Sequence, residues 1–131
     1  MSDAHDHDHS NQRVMDHFLN PRNVGDLPEA DGVGEVGAVS CGDVMRISIQ
    51  VRDGRIAEAR FRTFGCGTAI AASSATTELI KGRTIEEAQR FSNEEVSQAL
   101  GGLPAAKSHC PVLAEEAVRA AVEDYLRRHK K

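Results

Sequence analysis

The sequence predicts an α+β fold in which a three-stranded antiparallel sheet packs against helices. From Val44 to Val51 apolar and polar residues alternate, which is the period of a half-buried strand. Asp53-Gly54 is a two-residue hairpin turn, and Arg55 to Phe64 can return as a second strand. Beyond residue 66, capping residues and glycines mark a series of helices. The 131 residues suffice for one domain with a modest core.

Charge and composition exclude several classes of function. The net charge is −4 and charges of both signs are interspersed, which argues against a nucleic-acid-binding surface. No apolar run reaches the length of a membrane span, and the first residues lack the basic and apolar regions of a secretory signal. We therefore expect a cytoplasmic protein with no nucleic-acid or membrane partner. In a reducing cytoplasm, three cysteines indicate thiol chemistry or metal binding rather than disulfides.

Residues 1–12 alternate histidine with aspartate and then become polar, with nothing apolar to bury. We interpret them as a disordered tail, which leaves residues 13–131 as the folded domain. Three histidines in such a tract could also chelate a metal weakly.

The first structured element is predicted as a short helix over residues 13–19, which Pro21 ends. Apolar residues recur there with helical spacing at Val14, Met15, Phe18 and Leu19. Residues 20–34 are rich in proline and glycine and are expected to form a long irregular connection. The glycine pattern at residues 32–37 matches a dinucleotide-binding motif in its letters. Because a loop precedes it and a strand follows it, we treat that match as chance.

A third antiparallel strand is predicted from Glu35 to Val39, joined to the next strand by a turn that contains Cys41 and Asp43. Because the strands of a hairpin end at the same edge of a sheet, Cys41 and Cys66 should lie near each other. In the returning strand, one face is predicted to be buried and one exposed. The inward residues would be Ala57, Ala59, Phe61 and Thr63, and the outward residues Glu58, Arg60 and Arg62.

Four helices are expected after Cys66. The first runs to about Lys81 and is ended by Gly82. Capping boxes, Thr84 with Glu87 and Ser92 with Glu95, each begin a short helix. The last helix is predicted to start at Pro111, which leaves Cys110 at its cap. Its buried stripe would hold Ala114, Val118, Ala121, Val122 and Tyr125, and its exposed face the ion pairs Glu115–Arg119 and Glu123–Arg127.

Cys66 stands between Gly65 and Gly67, where a strand is predicted to turn into a helix. Glycines on both sides let the backbone turn sharply and let a bulky group approach the sulfur. A helix that begins just after Cys66 favours the thiolate through its dipole. The alternative is that Cys66 is a small buried apolar residue, as many cysteines are.

All three cysteines, Cys41, Cys66 and Cys110, lie at predicted element boundaries, each beside a glycine or a second candidate ligand. Asp43 follows Cys41, and His109 precedes Cys110. Three thiolates with a carboxylate or an imidazole form a four-coordinate set that suits zinc or an iron–sulfur cluster. A site gathered from distant loops should bind weakly enough to give its metal away.

Five segments in register resemble the IscU/NifU family of iron–sulfur cluster scaffolds. They are Asn20 to Gly25, Ser40 to Asp43, Thr63 to Ala71, Lys81 to Thr84 and Leu103 to Cys110. The resemblance extends over the whole chain after the tail. It implies a compact α+β domain with the cluster site at one exposed end of a three-stranded sheet.

The resemblance implies a scaffold and not an enzyme. In the family, three cysteines receive sulfur as persulfide from a cysteine desulfurase, bind iron and build a [2Fe-2S] cluster. The cluster then passes to ferredoxin and other apo-acceptor proteins. By position, Cys41, Cys66 and Cys110 would be ligands, Asp43 would keep the cluster labile, and His109 would be a fourth or alternative ligand. Cys110 would be the first persulfide acceptor, and zinc could occupy the same site in isolated protein.

Leu103, Pro104 and Lys107 fall in a segment that resembles the one gripped by a DnaK-type chaperone with its co-chaperone. Two alanines follow Pro104, where the dedicated-chaperone version has proline and valine, and Pro111 replaces the serine usual after the third cysteine. The additional domains of full-length NifU proteins are absent from these residues. We therefore expect either a stand-alone scaffold or a piece of a longer chain.

Three alternatives remain. A zinc-dependent sulfur-transfer protein of the SufU type resembles this chain, but that type carries an insertion before the third cysteine and lacks the histidine found here as His109. A cysteine enzyme could use Cys110 as nucleophile and His109 as base, although adjacent residues at a helix start point in different directions. A structural zinc domain explains neither the glycines around Cys66 nor Asp43.

Overall fold

The computed structural model describes residues 12–38, 43–65, 67–102 and 109–129, with residues 38 and 109 described by their backbone only. The described elements in chain order are α1 (12–19), β1 (Gly32–Ala38), β2 (Asp43–Arg52), β3 (Arg55–Phe64), α2 (Gly67–Ile80), α3 (Ile85–Gln89), α4 (Asn93–Ala99) and α5 (His109–Arg128). The predicted α+β class is confirmed. Among these described helices, none combines the length and the apolar character needed to cross a membrane.

The three strands form one antiparallel sheet in the order β1-β2-β3. Alternation along β2 places Met45, Ile47 and Ile49 in the core, where all three are fully buried. The register shifts between Gln50 and Val51 because of a β-bulge.

The bulge corrects one part of the predicted pattern of β3. Ala59 and Phe61 are buried as expected, but Ala57 is exposed and Ile56 is buried in its place. A period of two carried across a bulge assigns the residues beyond it to the wrong face. The prediction that Ala57 faces inward is therefore wrong.

Strand β1 begins at Gly32, so the prediction of an irregular connection through residue 34 is wrong at its end. Gly32 and Gly34 pack against α5: a Cβ built on Gly34 would lie 2.3 Å from the carbonyl oxygen of Ala117, and one on Gly32 equally close to that of Ala121. These glycines let the helix approach the strand closely. The letters that match a dinucleotide motif therefore have a packing role.

The connection that precedes β1 is held at both edges of the sheet. Beside β3, the Gly25 N–H donates to the Phe61 carbonyl and the Phe61 N–H donates to the Asn23 carbonyl. Near β1, the Asp31 N–H donates to the Ile49 carbonyl, and the Asp31 carboxylate accepts the Val51 N–H. This irregular segment thus has fixed positions.

Helices α2 and α5 cover the core face of the sheet, and α3 and α4 complete the layer. Both predicted capping boxes are present, and Gly82 has the positive φ of 88° expected after α2.

The predicted ion pair between Glu115 and Arg119 is confirmed at 3.3 Å. Arg127, however, pairs with Asp124 rather than with the predicted Glu123. Burial would raise the pKa of Asp124, but the Val33 N–H and the Arg127 guanidinium bond its carboxylate and lower the pKa overall. The Asp124 carboxylate thus joins α5 to β1 through the Val33 N–H and also forms the ion pair with Arg127.

Candidate functional site

The candidate site lies at the end of the sheet where β2 begins and β3 ends. Asp43 is the first residue of β2, and its neighbour Val44 pairs with Phe64, the last residue of β3. Cys41 comes two residues before Asp43 and Cys66 two residues after Phe64. The shared strand edge on which their predicted closeness depends is thus observed, although the two cysteines lie outside the described residues.

The Asp43 carboxylate contacts the residue directly before Cys66. A Cβ built on Gly65 would lie 2.3 Å from Asp43 Oδ1 and 3.2 Å from the Ala69 Cβ. The Asp43 carboxylate therefore occupies the space that a side chain at residue 65 would need. Asp43 itself is only 9% exposed. The structure therefore links the carboxylate at the start of β2 to Gly65, the residue that precedes Cys66 in the sequence.

Cys110 is the second residue of α5 and is fully buried. The prediction that it caps a helix starting at Pro111 is wrong, because the helix already includes His109. Proline is tolerated so early in a helix because N–H groups of the first turn have no partner within the helix. Cys110 is thus a member of the hydrophobic core and also one of the candidate ligands.

Several predicted site residues lie outside the described part of the chain. They are Cys41, Cys66, the side chain of His109, and the chaperone-type residues Leu103, Pro104 and Lys107. Over the ranges that are described, no group of three or more histidine, cysteine, aspartate or glutamate side chains forms a metal-binding cluster. Asp43 and Cys110 are the two predicted ligands whose side chains the structure describes.

Helix α1 packs against the other chain neighbour of Cys66. A Cβ built on Gly67 would lie 3.3 Å from the ring of Phe18, which is itself 39% exposed. The two glycines predicted to free the backbone around Cys66 are thus both in close contacts, Gly65 with Asp43 and Gly67 with Phe18. The sequence pattern placed Phe18 on a helix but did not indicate its position beside Gly67.

A histidine holds α1 to α2. His17 Nδ1 lies 2.8 Å from Ser74 Oγ, and His17 Nε2 lies 3.8 Å from Glu78 Oε1. In the neutral imidazole, Nδ1 accepts the serine proton and the Nε2–H faces the glutamate. Burial lowers the pKa of His17 below its usual 6.5, and the nearby Arg22 guanidinium lowers it further, against the attraction of Glu78 and Asp16. The structure therefore favours neutral His17.

The Asn-Pro-Arg-Asn segment after α1 is fixed to the same helix face. The Arg22 N–H donates to Ser74 Oγ at 2.9 Å, and Asn23 Nδ2 donates to Thr77 Oγ1 at 3.1 Å. Ser74 and Thr77 are fully buried, which is unusual for hydroxyl residues, and they serve here as docking points. The consecutive serines and threonines of α2 are the signal in the sequence that could have predicted this docking face.

A groove of about 660 Å³ opens beside this end of the sheet. Its lining is largely apolar and includes Phe18, Pro21, Val24, Phe64 and Ile70, with Arg46, Arg62 and Glu35 at its polar side. Phe64 is 81% exposed, although it immediately precedes Gly65 and Cys66. The groove and its exposed phenylalanine were not predicted.

The family model for the NifU-like N-terminal domain matches residues 9–131. The chain belongs to this family. The recognition based on five sequence segments is therefore confirmed.

Relatives of this NifU-like domain include proteins named as iron–sulfur cluster assembly scaffolds. Iron-sulfur cluster assembly scaffold protein IscU 1 of Archaeoglobus fulgidus is 55% identical over 119 residues, which cover 91% of this chain and 78% of that protein. The IscU scaffold of Azotobacter vinelandii is 54% identical over 123 residues, 91% of this chain and 94% of that protein. The Escherichia coli IscU scaffold is 50% identical over 118 residues, covering 87% and 91%.

Solved structures with the same fold include a NifU-like protein (N-terminal) from Brucella abortus. Its TM-score is 0.75 at 19% identity, covering 92% of this chain and 96% of that one. A protein described as a SUF-system cluster assembly scaffold from Fervidobacterium islandicum has a TM-score of 0.67 at 20% identity, covering 85% and 94%. At these identities the likeness shows the NifU-like fold and does not distinguish scaffold from sulfur-transfer protein.

Proposed function

We propose that this chain is a scaffold on which an iron–sulfur cluster is assembled and from which it is transferred to acceptor proteins. Relatives named as scaffolds are 50% to 55% identical and match along most of the chain. The observation that carries the proposal is the position of Asp43. A nearly buried carboxylate contacts the residue before Cys66 and lies two residues after Cys41, where a ligand shared with thiolates would be needed.

The proposed ligand set is Cys41, Cys66 and Cys110, with Asp43 and His109 as alternatives for the fourth position of a [2Fe-2S] cluster. Thiolates are soft ligands that suit iron–sulfur clusters and zinc, whereas a carboxylate is a harder and weaker partner. A mixed set should hold the cluster less firmly than four thiolates. Zinc accepts the same thiolate and imidazole ligands, so it is the expected competitor in isolated protein.

Cys110 is the proposed first acceptor of sulfur from a cysteine desulfurase. Its thiolate would attack the terminal sulfur of the desulfurase persulfide, forming a new S–S bond and releasing the desulfurase cysteine as thiolate. An external electron donor must then supply two electrons to convert each transferred sulfur to sulfide. Because Cys110 is buried, this step requires the residues that cover it to open when the desulfurase docks.

The role is that of a carrier without turnover of its own. Leu103, Pro104 and Lys107 are the proposed contacts of a DnaK-type chaperone and its co-chaperone, which would assist release of the cluster to ferredoxin and other apo-acceptors. We place the protein in the cytoplasm, because thiolate ligands and persulfide acceptors need the reduced state that this compartment maintains.

The test is anaerobic reconstitution with iron, free cysteine and a cysteine desulfurase, followed by visible absorption and Mössbauer spectroscopy. The wild type should give a [2Fe-2S] spectrum that fades on addition of an apo-ferredoxin. Asp43→Ala should keep its cluster longer, whereas Glu94→Ala, which removes an exposed carboxylate on α4, should behave as the wild type.

The cysteine roles are tested in the same system by mass spectrometry of Cys41→Ser, Cys66→Ser and Cys110→Ser. Loss of the persulfide in Cys110→Ser alone would support it as first acceptor. A wild type that forms no cluster, retains one tightly bound zinc ion and still accepts persulfide would overturn the scaffold proposal in favour of zinc-dependent sulfur transfer.

A further inference from the structure

The outer face of the sheet carries arginines next to the exposed phenylalanine. Because Thr63 and Phe61 alternate toward the helices, Phe64, Arg62 and Arg60 point together to the opposite face. Alternate residues of a strand are about 7 Å apart, so the row extends about 14 Å from Phe64 to Arg60. Arg46 of β2 lies directly opposite Arg62. We call Arg46, Arg60 and Arg62 the arginine row.

The acidic side chains of this face do not neutralise the arginine row. Asp26 serves two arginines at once, with Oδ2 2.9 Å from Arg62 Nε and Oδ1 3.7 Å from Arg46 Nε. Glu35 is the cross-strand neighbour of Arg46. Arg60 lies opposite Ser48, is exposed, and has no ion pair with any residue in the described ranges. Glu58 is on the same face of β3 and pairs with Lys81 at 3.2 Å. With Lys81 included, four cations therefore face the three carboxylates of Asp26, Glu35 and Glu58, and the face is locally positive on a chain whose net charge is −4.

The apolar part of the same surface borders the candidate site. Phe64 is 81% exposed and lies at the rim of the 660 Å³ groove, and Phe18 lies at the rim against Gly67. Phe64 directly precedes Gly65 and Phe18 contacts Gly67, so the two exposed rings lie beside the described neighbours of residue 66. An exposed aromatic side chain beside a groove is typical of a binding surface, because single domains rarely leave large apolar patches open.

We propose that the groove and the arginine row dock an acidic acceptor protein. The acceptor would place an apolar side chain against Phe64 in the groove and carboxylates on Arg62 and Arg60, one and two steps along β3. Charge complementarity favours an acidic protein over a nucleic acid, because a protein can place separate carboxylates on Arg60 and Arg62 and none beside Asp26 and Glu35, whereas a continuous phosphate backbone would also pass those two acids. This inference rests on the proposed scaffold function, since it names the chemistry of the partner at the same site.

The test measures binding of an acidic apo-ferredoxin to the metal-free protein by isothermal titration calorimetry at low and at physiological salt. The charge-reversal pair Arg60→Glu/Arg62→Glu should weaken binding about tenfold at low salt and flatten its salt dependence. The matched control is Arg52→Glu/Arg90→Glu, which makes the same change in net charge at exposed positions away from the groove. It should stay within about threefold of the wild type, because distant charges are screened. Phe64→Ser should weaken binding while leaving the salt dependence unchanged.

Several outcomes would overturn the inference. Equal losses in the two charge-reversal pairs would mean that only net charge matters, and no binding by the wild type would exclude the acceptor. Loss of binding to a cysteine desulfurase with unchanged ferredoxin binding would assign the row to the sulfur donor, and binding of a DNA or RNA oligonucleotide in its place would assign it to nucleic acid. Because the titration uses metal-free protein, a failure to assemble a cluster would refute the proposed function without altering this readout. Circular dichroism melts would verify that each variant is folded.

Discussion

Replacing Gly65 by alanine tests the contact on which the candidate site depends. The new Cβ would lie 2.3 Å from Asp43 Oδ1, about 1 Å closer than a carbon and an oxygen normally approach. The Ala69 Cβ would lie 3.2 Å from the new methyl group, which is tighter than an ordinary carbon–carbon contact. The Asp43 carboxylate must therefore rotate away from its position.

The loss of unfolding free energy depends on which atom moves to relieve the overlap. Overpacking typically costs about 1–3 kcal/mol, and Gly65 is exposed while the short Asp43 side chain can turn, so we expect about 1–2 kcal/mol of lost unfolding free energy. In an Asp43→Ala background the oxygen that causes the overlap is absent, and the same substitution should cost little. The two changes should then show a coupling energy of about 1 kcal/mol in a double-mutant cycle. Any backbone cost at residue 65 is common to both backgrounds and cancels.

The assay is urea denaturation of the wild type, both single variants and the double variant, all metal-free, followed by circular dichroism. A change of 1 kcal/mol shifts the midpoint by about 0.3–1 M urea, which is easily resolved. The reconstituted Gly65→Ala protein should also retain its cluster longer, as we expect of Asp43→Ala, because one change displaces the carboxylate from the site and the other removes it. Costs that add to within about 0.5 kcal/mol would refute the contact between the two residues.

Two further substitutions test the surroundings of the site. Since the pKa of His17 is lowered from 6.5, the unfolded chain binds the proton first, and the stability that neutral His17 contributes should be lost as pH falls below 6.5. His17→Gln should flatten this fall in urea midpoints between about pH 7.5 and pH 5.5, and an unchanged slope would contradict the assignment. Gly34→Ala should cost at least about 2 kcal/mol, because the Ala117 carbonyl cannot move without displacing α5. Gly54→Ala has open space and should lose only about 1 kcal/mol for its positive φ, so equal thermal shifts would refute the packing role.

Local chemistry predicted those parts of the fold that depend on few residues. The alternation along β2, the Asp53-Gly54 turn and both capping boxes each follow from neighbours in the sequence, and each is observed. The errors arise where distant segments meet. The β-bulge at Gln50 places Ile56 in the core, where simple alternation had predicted Ala57. Strand β1 starts earlier than predicted because Gly32 and Gly34, which look like loop residues in the sequence, are strand residues that pack closely against α5.

The candidate site was predictable to the same extent. Asp43 and Cys110 were named from residue type, motif and resemblance, because metal-ligand chemistry restricts the choice to a few side chains. Their environment was not predictable from spacing. Cys110 is buried because of the way α5 is rotated about its axis when it packs on the sheet. Phe18 lies beside Gly67 because the hydrogen bond between His17 and Ser74 positions α1 on α2.

The two proposed ligands whose side chains the structure describes come from elements that also build the core. Asp43 begins the strand that carries Met45 and Ile47, and Cys110 begins the helix that packs on β1 through Gly34. A cluster bound by the proposed set would join the start of β2 to the start of α5, and so add its binding free energy to the stability of the fold. Conversely, a partner that loosens either element would weaken the hold on the cluster. Assembly and release can therefore be controlled by packing at one end of the sheet, with the ligands themselves unchanged.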